Sequence, residues 1–385
     1  MSRLAWTTAG ESHGKALVGV LSGFPAGVEL ALERVDRELA RRQGGHGRGG
    51  RMKIERDSAE LLAGVRAGRT LGSPIALALT NRDATIERLP VPTNPRPGHA
   101  DLAGCQKLWM RDPRAVLERA SARETAMRVA LAGVARQLLE HFGVEIVGHV
   151  VELGGVAVDA AAVESAFASA SDARAALREA SAFYALDPAV EERMRARVEE
   201  ARAVGDTLGG VFEVRALGLP PGLGSYHSGP ERLTARLGGA LFSIPAMKAV
   251  EFGLGFEAAR RPGSQVQDPI LPAPGGPFGR FGRASNRAGG LEGGLTTGEP
   301  LVARVAMKPI PTLRQGMSTV DFETGEPVQA TYQRSDVTSV PAASVVGEAV
   351  VALELAAAFL ERFAGDALPQ VEAAYAAHVE ALRQL

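Results

Sequence analysis

The sequence predicts a mixed α+β fold, and three observations carry that expectation. Short apolar runs bounded by glycine or proline recur along the chain, as strands do. One long stripe of apolar residues repeats at helical spacing. The two kinds of segment alternate in neither a regular βαβ order nor an all-β one.

Taken in chain order, residues 3–8 and 15–21 are the first apolar runs and read as strands, with "GESHG", Gly10 to Gly14, as the turn between them. Leu32, Val35 and Leu39 recur at helical spacing before "RRQGGHGRGGRMK", residues 41–53, where glycine ends the helix. "SPIALALT", residues 73–80, reads as a strand, and "PVPTNPRPGH", residues 90–99, as an extended segment stiffened by proline. The clearest helix comes next. Ser121 with Glu124 has the pattern of a capping box, and Met127, Leu131, Val134, Leu138 and Phe142 form one stripe that stops at Gly143. Residues 156–204, rich in Ala, Glu and Arg, read as a peripheral helical segment. From Val211 short apolar runs alternate with glycine and proline turns. Residues 343–363 then read as a buried helix, with an amphipathic one after it at the C-terminus.

With 45% hydrophobic and 23% charged residues, the 385-residue chain can bury a large core, which excludes a disordered polymer. Length alone suggests roughly two to three domains, yet no compositional break marks a linker and no repeat stands out. A net charge of -1 argues against wholesale attraction to nucleic acid or anionic membrane. Cys105 is the sole cysteine, so there is no disulfide framework and no thiolate-rich metal cluster. The N-terminus lacks the apolar core of a signal peptide, and no run approaches the ~18 apolar residues of a membrane span, so a cytoplasmic protein is expected.

GESHG matches the G-x-S-x-G pattern of nucleophilic serines. A nucleophile elbow joins a strand to a helix, whereas the residues after this motif, "KALVGVLSGF", are strand-like. A serine hydrolase built on Ser12 is therefore disfavoured. His13 and His99 lie in polar, glycine-containing turns, "ESHGK" and "RPGHAD", and are candidates for acid-base chemistry. His141 and His378 fall in helices and read as structural. The loop at 41–53 carries five Lys or Arg in thirteen positions; it reads as a solvated turn, an RNA-binding segment or a lid over a phosphorylated ligand. A lack of interleaved aromatics weakens the RNA reading. In "ERASARE", Arg119, Ser121 and Arg123 stand where a helix begins, a place that favours an anion, although Ser121 could be a cap and Arg123 an exposed charge. No H-E-x-x-H or Walker-type spacing is present. The residues together point to an enzyme acting on an anionic, phosphorylated small molecule.

Ten segments in one order add a resemblance. They are "GESHGKALVGVLSGFPAG", "RRQGGHGRGGRMKIE", "GVRAGRTLGSPIAL", "RPGHADLAG", "VLERASARETAMRVA", "GLGSY", "SIPAMKAVEFG", "SNRAGGLEGG", "GEPLVARVAMKPIPTL" and "QRSDVTSVPAA". On these the chain resembles the chorismate synthase family over nearly its whole length. The resemblance implies a single domain over residues 1–385, a β-α-β sandwich with helices between two antiparallel sheets, assembled as a homotetramer. It implies anti-1,4-elimination of phosphate and the C6 pro-R hydrogen from 5-enolpyruvylshikimate 3-phosphate, the last step of the shikimate pathway. Reduced FMN (FMNH2) is required without net redox change and comes from an external source.

By the same resemblance His13 protonates the departing phosphate, His99 stabilises the negative charge of reduced flavin, and Asp336 works with the flavin in removing the C6 hydrogen. Ser12 and Ser121 assist proton transfer. Arg119, Ala120, Ser121, Pro245, Ala246, Gly293, Lys308, Pro309, Ile310, Pro311, Thr312 and Arg334 match FMN-binding positions. Arg42 and Arg48 match positions associated with NADP, and guanidinium geometry suits the substrate phosphate equally. Two departures stand out: Asn94 replaces an arginine common in the family, and residues 156–204 match only loosely.

Overall fold

A computed structural model describes residues 3–48, 56–330 and 336–385. The first two predicted strands are present as β1 (Ala5–Ala9) and β2 (Ala16–Ser22), an antiparallel pair with Thr7 opposite Val20. Helix α1 (Leu32–Gln43) comes next in the chain; its Val35 and Leu39 are buried, as the periodicity requires. Strand β3 (Glu60–Ala63), the short hairpin β4 (Val65–Arg66) and β5 (Arg69–Thr70), and β6 (Ile75–Thr80) succeed it. Strands β1, β2, β6 and β3 form a four-stranded antiparallel sheet in that order.

Two short helices, α2 (Asp101–Leu108) and α3 (Arg114–Ala120), lead into α4 (Thr125–His141). Ser121 does act as a cap here, on a 3-10 turn over Ala122–Glu124 that enters α4: its hydroxyl accepts from the Arg123 N–H. The capping box does not form, because the Glu124 carboxylate is taken by the Thr8 hydroxyl at 2.6 Å and Arg128 at 3.0 Å. Local propensity proposed a partner that tertiary packing had already claimed. All but a few residues of α4 are buried, which suits a helix with neighbours on every side. Gly19 on β2 makes the close approach possible, since a Cβ there would fall 2.6 Å from the Met127 sulfur.

Strands β7 (Glu145–Leu153) and β8 (Val156–Ala157) precede helices α5 (Ala160–Ala168), α6 (Ser171–Ala180) and α7 (Glu191–Val204). Part of this segment packs on a small core of its own, around Phe183, Met194 and Val198. Strand β9 (Gly210–Leu217), helix α8 (Leu233–Phe242) and strand β10 (Met247–Phe252) continue the chain. Two hairpins are next, β11 (Ile270–Gly276) with β12 (Gly279–Arg283) and β13 (Leu291–Glu292) with β14 (Leu295–Thr296). Then come β15 (Leu301–Met307) and the pair β16 (Ser318–Val320) and β17 (Pro327–Gln329). The second large sheet is antiparallel and five-stranded, in the order β10-β15-β9-β7-β8.

The predicted buried helix is α9 (Val340–Arg362), and the amphipathic one is α10 (Leu368–Gln384). Among the described residues α9 alone has the length and hydropathy to cross a membrane, but 94% of its apolar window is buried inside the protein. It is a core helix. Helix α4 packs on β1, β2 and β6; α9 packs on β7 and β9; and α4 and α9 pack on each other. One hydrophobic core runs through these contacts, from Leu17 and Leu77 through Leu131 and Leu138 to Leu355 and Phe212. Each such side chain contributes about 1.5–3 kcal/mol by leaving water. The fold class is α+β.

Candidate functional site

The GESHG loop is built from its backbone outward. Gly10 has φ +108°, and a Cβ there would meet the Ala16 carbonyl at 2.3 Å, so only glycine starts this turn without distortion. Asn81, just past the end of β6, clamps the loop from inside: its side-chain amide donates to the carbonyls of Glu11 at 3.1 Å and Gly14 at 2.8 Å. Arg123 in turn orients Asn81 with a 3.0 Å bond to its side-chain oxygen. The turn joins two antiparallel strands, so the strand-turn-helix of a nucleophile elbow is not what the chain forms here. Ser12 is buried and its hydroxyl accepts from Ser121 at 3.2 Å.

His13 projects from this loop against Glu118 of α3. The Glu118 carboxylate accepts from the His13 backbone N–H at 2.8 Å and lies 3.0 and 3.1 Å from Nδ1. The Glu118 carbonyl accepts from the Ser12 N–H at 3.0 Å, and Arg114 donates to the carboxylate at 3.2 Å. Burial pushes the Glu118 carboxyl up, yet the bonds from His13 and Arg114 outweigh it and hold the group below its ordinary range. Asp83 sits on the other side, its Oδ2 3.9 Å from His13 Nε2.

His99 has the same arrangement made locally. Its Nδ1 lies 2.5 Å from Asp101 Oδ1, and Asp101 also accepts from the Arg96 backbone N–H at 3.1 Å and its Nε at 2.7 Å. Against the upward push of burial, His99 and Arg96 hold the Asp101 carboxyl well below the usual carboxylate range. Lys308 reaches the carbonyl of Gly98 at 2.5 Å. Burial, with repulsion from Lys248, lowers its ammonium.

Arg42 ends α1 in the interior, bonded to the Thr125 hydroxyl at 3.0 Å and the Ala122 carbonyl at 2.7 Å. Burial, offset by Asp57 and reinforced by Arg48 and Arg123, pushes its guanidinium down to about 9, still charged at neutral pH. Arg48 pairs with Asp336 at 2.8 Å, and Ser339, at the start of α9, bonds to both. Arg123 is not the exposed charge that its sequence context allowed: it is buried and paired with Asp57 through both carboxylate oxygens at 2.7 Å.

These groups surround one cavity of about 750 Å³. Ser12, His13, His99, Ser121 and Asp336 line it, with Arg42 and Arg48. The rest of the wall includes Ala120, Pro245, Ala246, Ile310, Pro311 and Thr312, together with Met307 and Lys308. Ala246 has φ +74°, a conformation that costs an alanine on the order of 1–2 kcal/mol, and its carbonyl accepts from the Lys308 N–H at 3.0 Å. The lining thus combines cationic and histidine side chains with a largely apolar stretch.

Three of the sequence candidates lie elsewhere. Pro309 does not line the cavity; Arg119 turns away to the carbonyls of Thr8 and Gly10; and Gly293 makes the tight turn between β13 and β14. Arg334 falls outside the described residues, as does the 49–53 part of the basic loop. His141 and His378, read as structural, bond to Glu372 and to the carbonyl of Pro221. Sequence reasoning missed Glu118, Asp101, Asp83 and Ser339. Only Asp101 left a signal, its two-residue spacing from His99.

The family model described as chorismate synthase matches residues 4–360. Chorismate synthase of Trichlorobacter lovleyi is 52% identical over 384 residues, covering 96% of each chain. That of Rubrobacter xylanophilus is 53% identical, covering 97% of this chain and 96% of its own. A solved crystal structure of chorismate synthase superposes with a TM-score of 0.81 at 40% identity, covering 100% of this chain and 99% of the other.

Proposed function

The chain belongs to the chorismate synthase family of lyases, which serve aromatic amino-acid biosynthesis, and we propose from this that it converts 5-enolpyruvylshikimate 3-phosphate to chorismate. The reaction is anti-1,4-elimination of the 3-phosphate and the C6 pro-R hydrogen, the last step of the shikimate pathway, with reduced FMN in the cavity. The observation that carries the reading is the convergence of His13, His99, Asp336 and the arginines Arg42 and Arg48 on one 750 Å³ space.

The lining suits both ligands. Its volume falls in the upper part of the ~300–1,000 Å³ range of small-molecule sites, and the Pro245–Ala246 and Ile310–Pro311 wall offers the apolar surface a flavin ring needs. Reduced FMN, when bound, supplies transient electron density to the substrate and takes it back, so that no net redox change results. Ala120, Ser121, Pro245, Ala246, Lys308 and Ile310 through Thr312 would hold it; Arg119, Gly293 and Pro309 stand outside this lining, and Arg334 is assigned by the resemblance alone. Arg42 and Arg48 neutralise the substrate phosphate, or an NADP phosphate in a reducing role; the buried charge of Arg42 favours the substrate, which needs an anion site inside the cavity. His13 gives a proton to the leaving phosphate, His99 balances negative charge on the reduced cofactor, Asp336 takes part in removing the C6 hydrogen, and Ser12 and Ser121 pass protons.

The sequence of packing, sheet on α4, α4 on α9, α9 on sheet, supports reading the fold as a β-α-β sandwich in a single domain with residues 156–204 at its edge. A cytoplasmic homotetramer that takes reduced flavin from outside completes the proposal. The test is an anaerobic assay with and without dithionite-reduced FMN. Phosphate and chorismate should appear only with reduced flavin; full activity with oxidised flavin and no reductant overturns the reading.

A further inference from the structure

We propose that Glu118 is a positioning residue for His13: it fixes a proton on Nδ1, so that Nε2 is the nitrogen that delivers a proton into the cavity. This rests on the proposed function of the chain. The step balances simply. The Nε2–H bond of the imidazolium breaks as an O–H bond forms on the phosphate leaving C3, and His13 is left neutral with its remaining proton on Nδ1, still held by the unchanged Glu118 carboxylate.

Three features of Glu118 carry this. First, a carboxylate buried to 2% exposure in a seven-residue helix is costly unless donors surround it. Its polar neighbours are the His13 backbone N–H, the His13 ring nitrogen Nδ1 and Arg114, two of the three from the residue it serves. Second, loop shape alone does not need the ring contact. Asn81 already clamps the GESHG backbone through the carbonyls of Glu11 and Gly14, and Glu118 adds the backbone bonds to Ser12 and His13. The approach of both carboxylate oxygens to Nδ1, at 3.0 and 3.1 Å, acts on the imidazole alone. Third, the carboxylate facing the other nitrogen stands farther off. Asp83 Oδ2 is 3.9 Å from Nε2, beyond hydrogen-bond distance, and Oδ1 is engaged by Thr85 at 2.8 Å. A buried carboxylate on one ring nitrogen is the arrangement that sets the tautomer of a catalytic histidine and stabilises its charged form.

A glutamine at 118 makes the contrast sharp. In the wild type Oε2 accepts from the His13 N–H and Oε1 from Arg114, with both oxygens near Nδ1. One amide oxygen cannot replace both, and without the negative charge the proton is no longer held on Nδ1, so the ring returns to its intrinsic preference for Nε2–H. The experiment is 15N NMR of histidine-labelled full-length protein, with His13 assigned through His13→Asn, alongside steady-state kinetics with reduced FMN. In the wild type, neutral His13 should carry its proton on Nδ1; in Glu118→Gln the proton should shift to Nε2. The kcat of that variant should fall about a hundredfold or more, with KM changed less than about threefold, and Glu118→Asp should recover part of the kcat. An Nε2–H tautomer in the wild type, an unchanged tautomer in Glu118→Gln, or a raised KM at unchanged kcat overturns the proposal. Should Glu118→Gln not fold, the wild-type tautomer and Glu118→Asp decide. A wild type that shows the Nδ1–H tautomer but no turnover with reduced FMN sinks the proposed function and leaves the hold of Glu118 on His13 standing.

Discussion

His99 and Asp101 meet at 2.5 Å, Nδ1 to Oδ1, across only two positions of chain. The same chemistry at His13 is supplied by Glu118 across 105 positions. Both pocket histidines therefore rest on a buried carboxylate, one provided by the local turn and the other by the packing of α3 against the β1-β2 loop.

Asp101→Asn tests the local pair. The amide loses its charge and one acceptor position, while Arg96 and His99 keep their demand for it. Turnover is expected to fall about tenfold or more, through a misoriented His99. Circular dichroism should remain near wild type, and unchanged kcat would show that the pair is structural only.

His13→Ala and His99→Ala should each lower kcat about a hundredfold or more, since each removes an acid-base or charge-stabilising group while leaving a partly exposed site to accommodate the loss. Near-normal turnover in both variants would remove them from the mechanism. Thermal unfolding checks that the loss is chemical.

The two outer glycines of GESHG should behave differently. Gly10→Ala places a Cβ 2.3 Å from the Ala16 carbonyl at φ +108°, against backbone that cannot yield cheaply. We expect a loss of about 1–3 kcal/mol and a displaced His13. Gly14→Ala is closest to the end of the Glu11 side chain, at 2.9 Å, which can rotate away. Urea midpoints for the two variants should separate clearly; equal midpoints would contradict the assigned loop geometry.

Glu348, fully buried on α9, accepts from Arg41 at 2.8 and 3.0 Å, from Arg136 at 2.9 Å and from Arg178 at 3.0 Å. Although burial opposes it, these arginines hold the carboxyl well below the usual range. Glu348→Gln leaves guanidinium charge without its central counterion, and should cost about 3–5 kcal/mol. Chemical denaturation would measure it, and a change under about 1 kcal/mol would show the arginines satisfied elsewhere.

Acid stability should track Glu213, buried in β9 between His149, Arg215 and Arg304. Burial raises its carboxyl, but His149 and Arg215 bring it down from 4.5 to about 2. A depressed carboxyl stabilises the fold above its unfolded value and loses that contribution as pH falls toward the folded one. Between about pH 4.5 and 2 this group should therefore withdraw on the order of 3 kcal/mol. Urea midpoints of wild type and Glu213→Gln between pH 6 and pH 3 check the sign: the wild type should show the steeper fall.

The regular elements were legible where neighbours within a few residues decide them. The α4 stripe of Met127, Leu131, Val134 and Leu138, the strands around GESHG and the apolar length of α9 each record a local period that the structure keeps. The capping box failed for the opposite reason, because Thr8, more than a hundred residues upstream, holds the Glu124 carboxylate.

The same division runs through the site. By itself the sequence determined which residue types are available for the chemistry: two histidines in polar turns, arginines beside glycines, an Arg-Ser-Asp run, and a family resemblance over the whole chain. Tertiary structure decided which of them share a cavity, that Arg123 is a buried partner of Asp57, and that Glu118 stands behind His13. Hydrophobic periodicity is blind to such choices. A buried carboxylate is made tolerable by donors that chain folding brings from a distance, and nothing within a turn or two of Glu118 announces the histidine it holds.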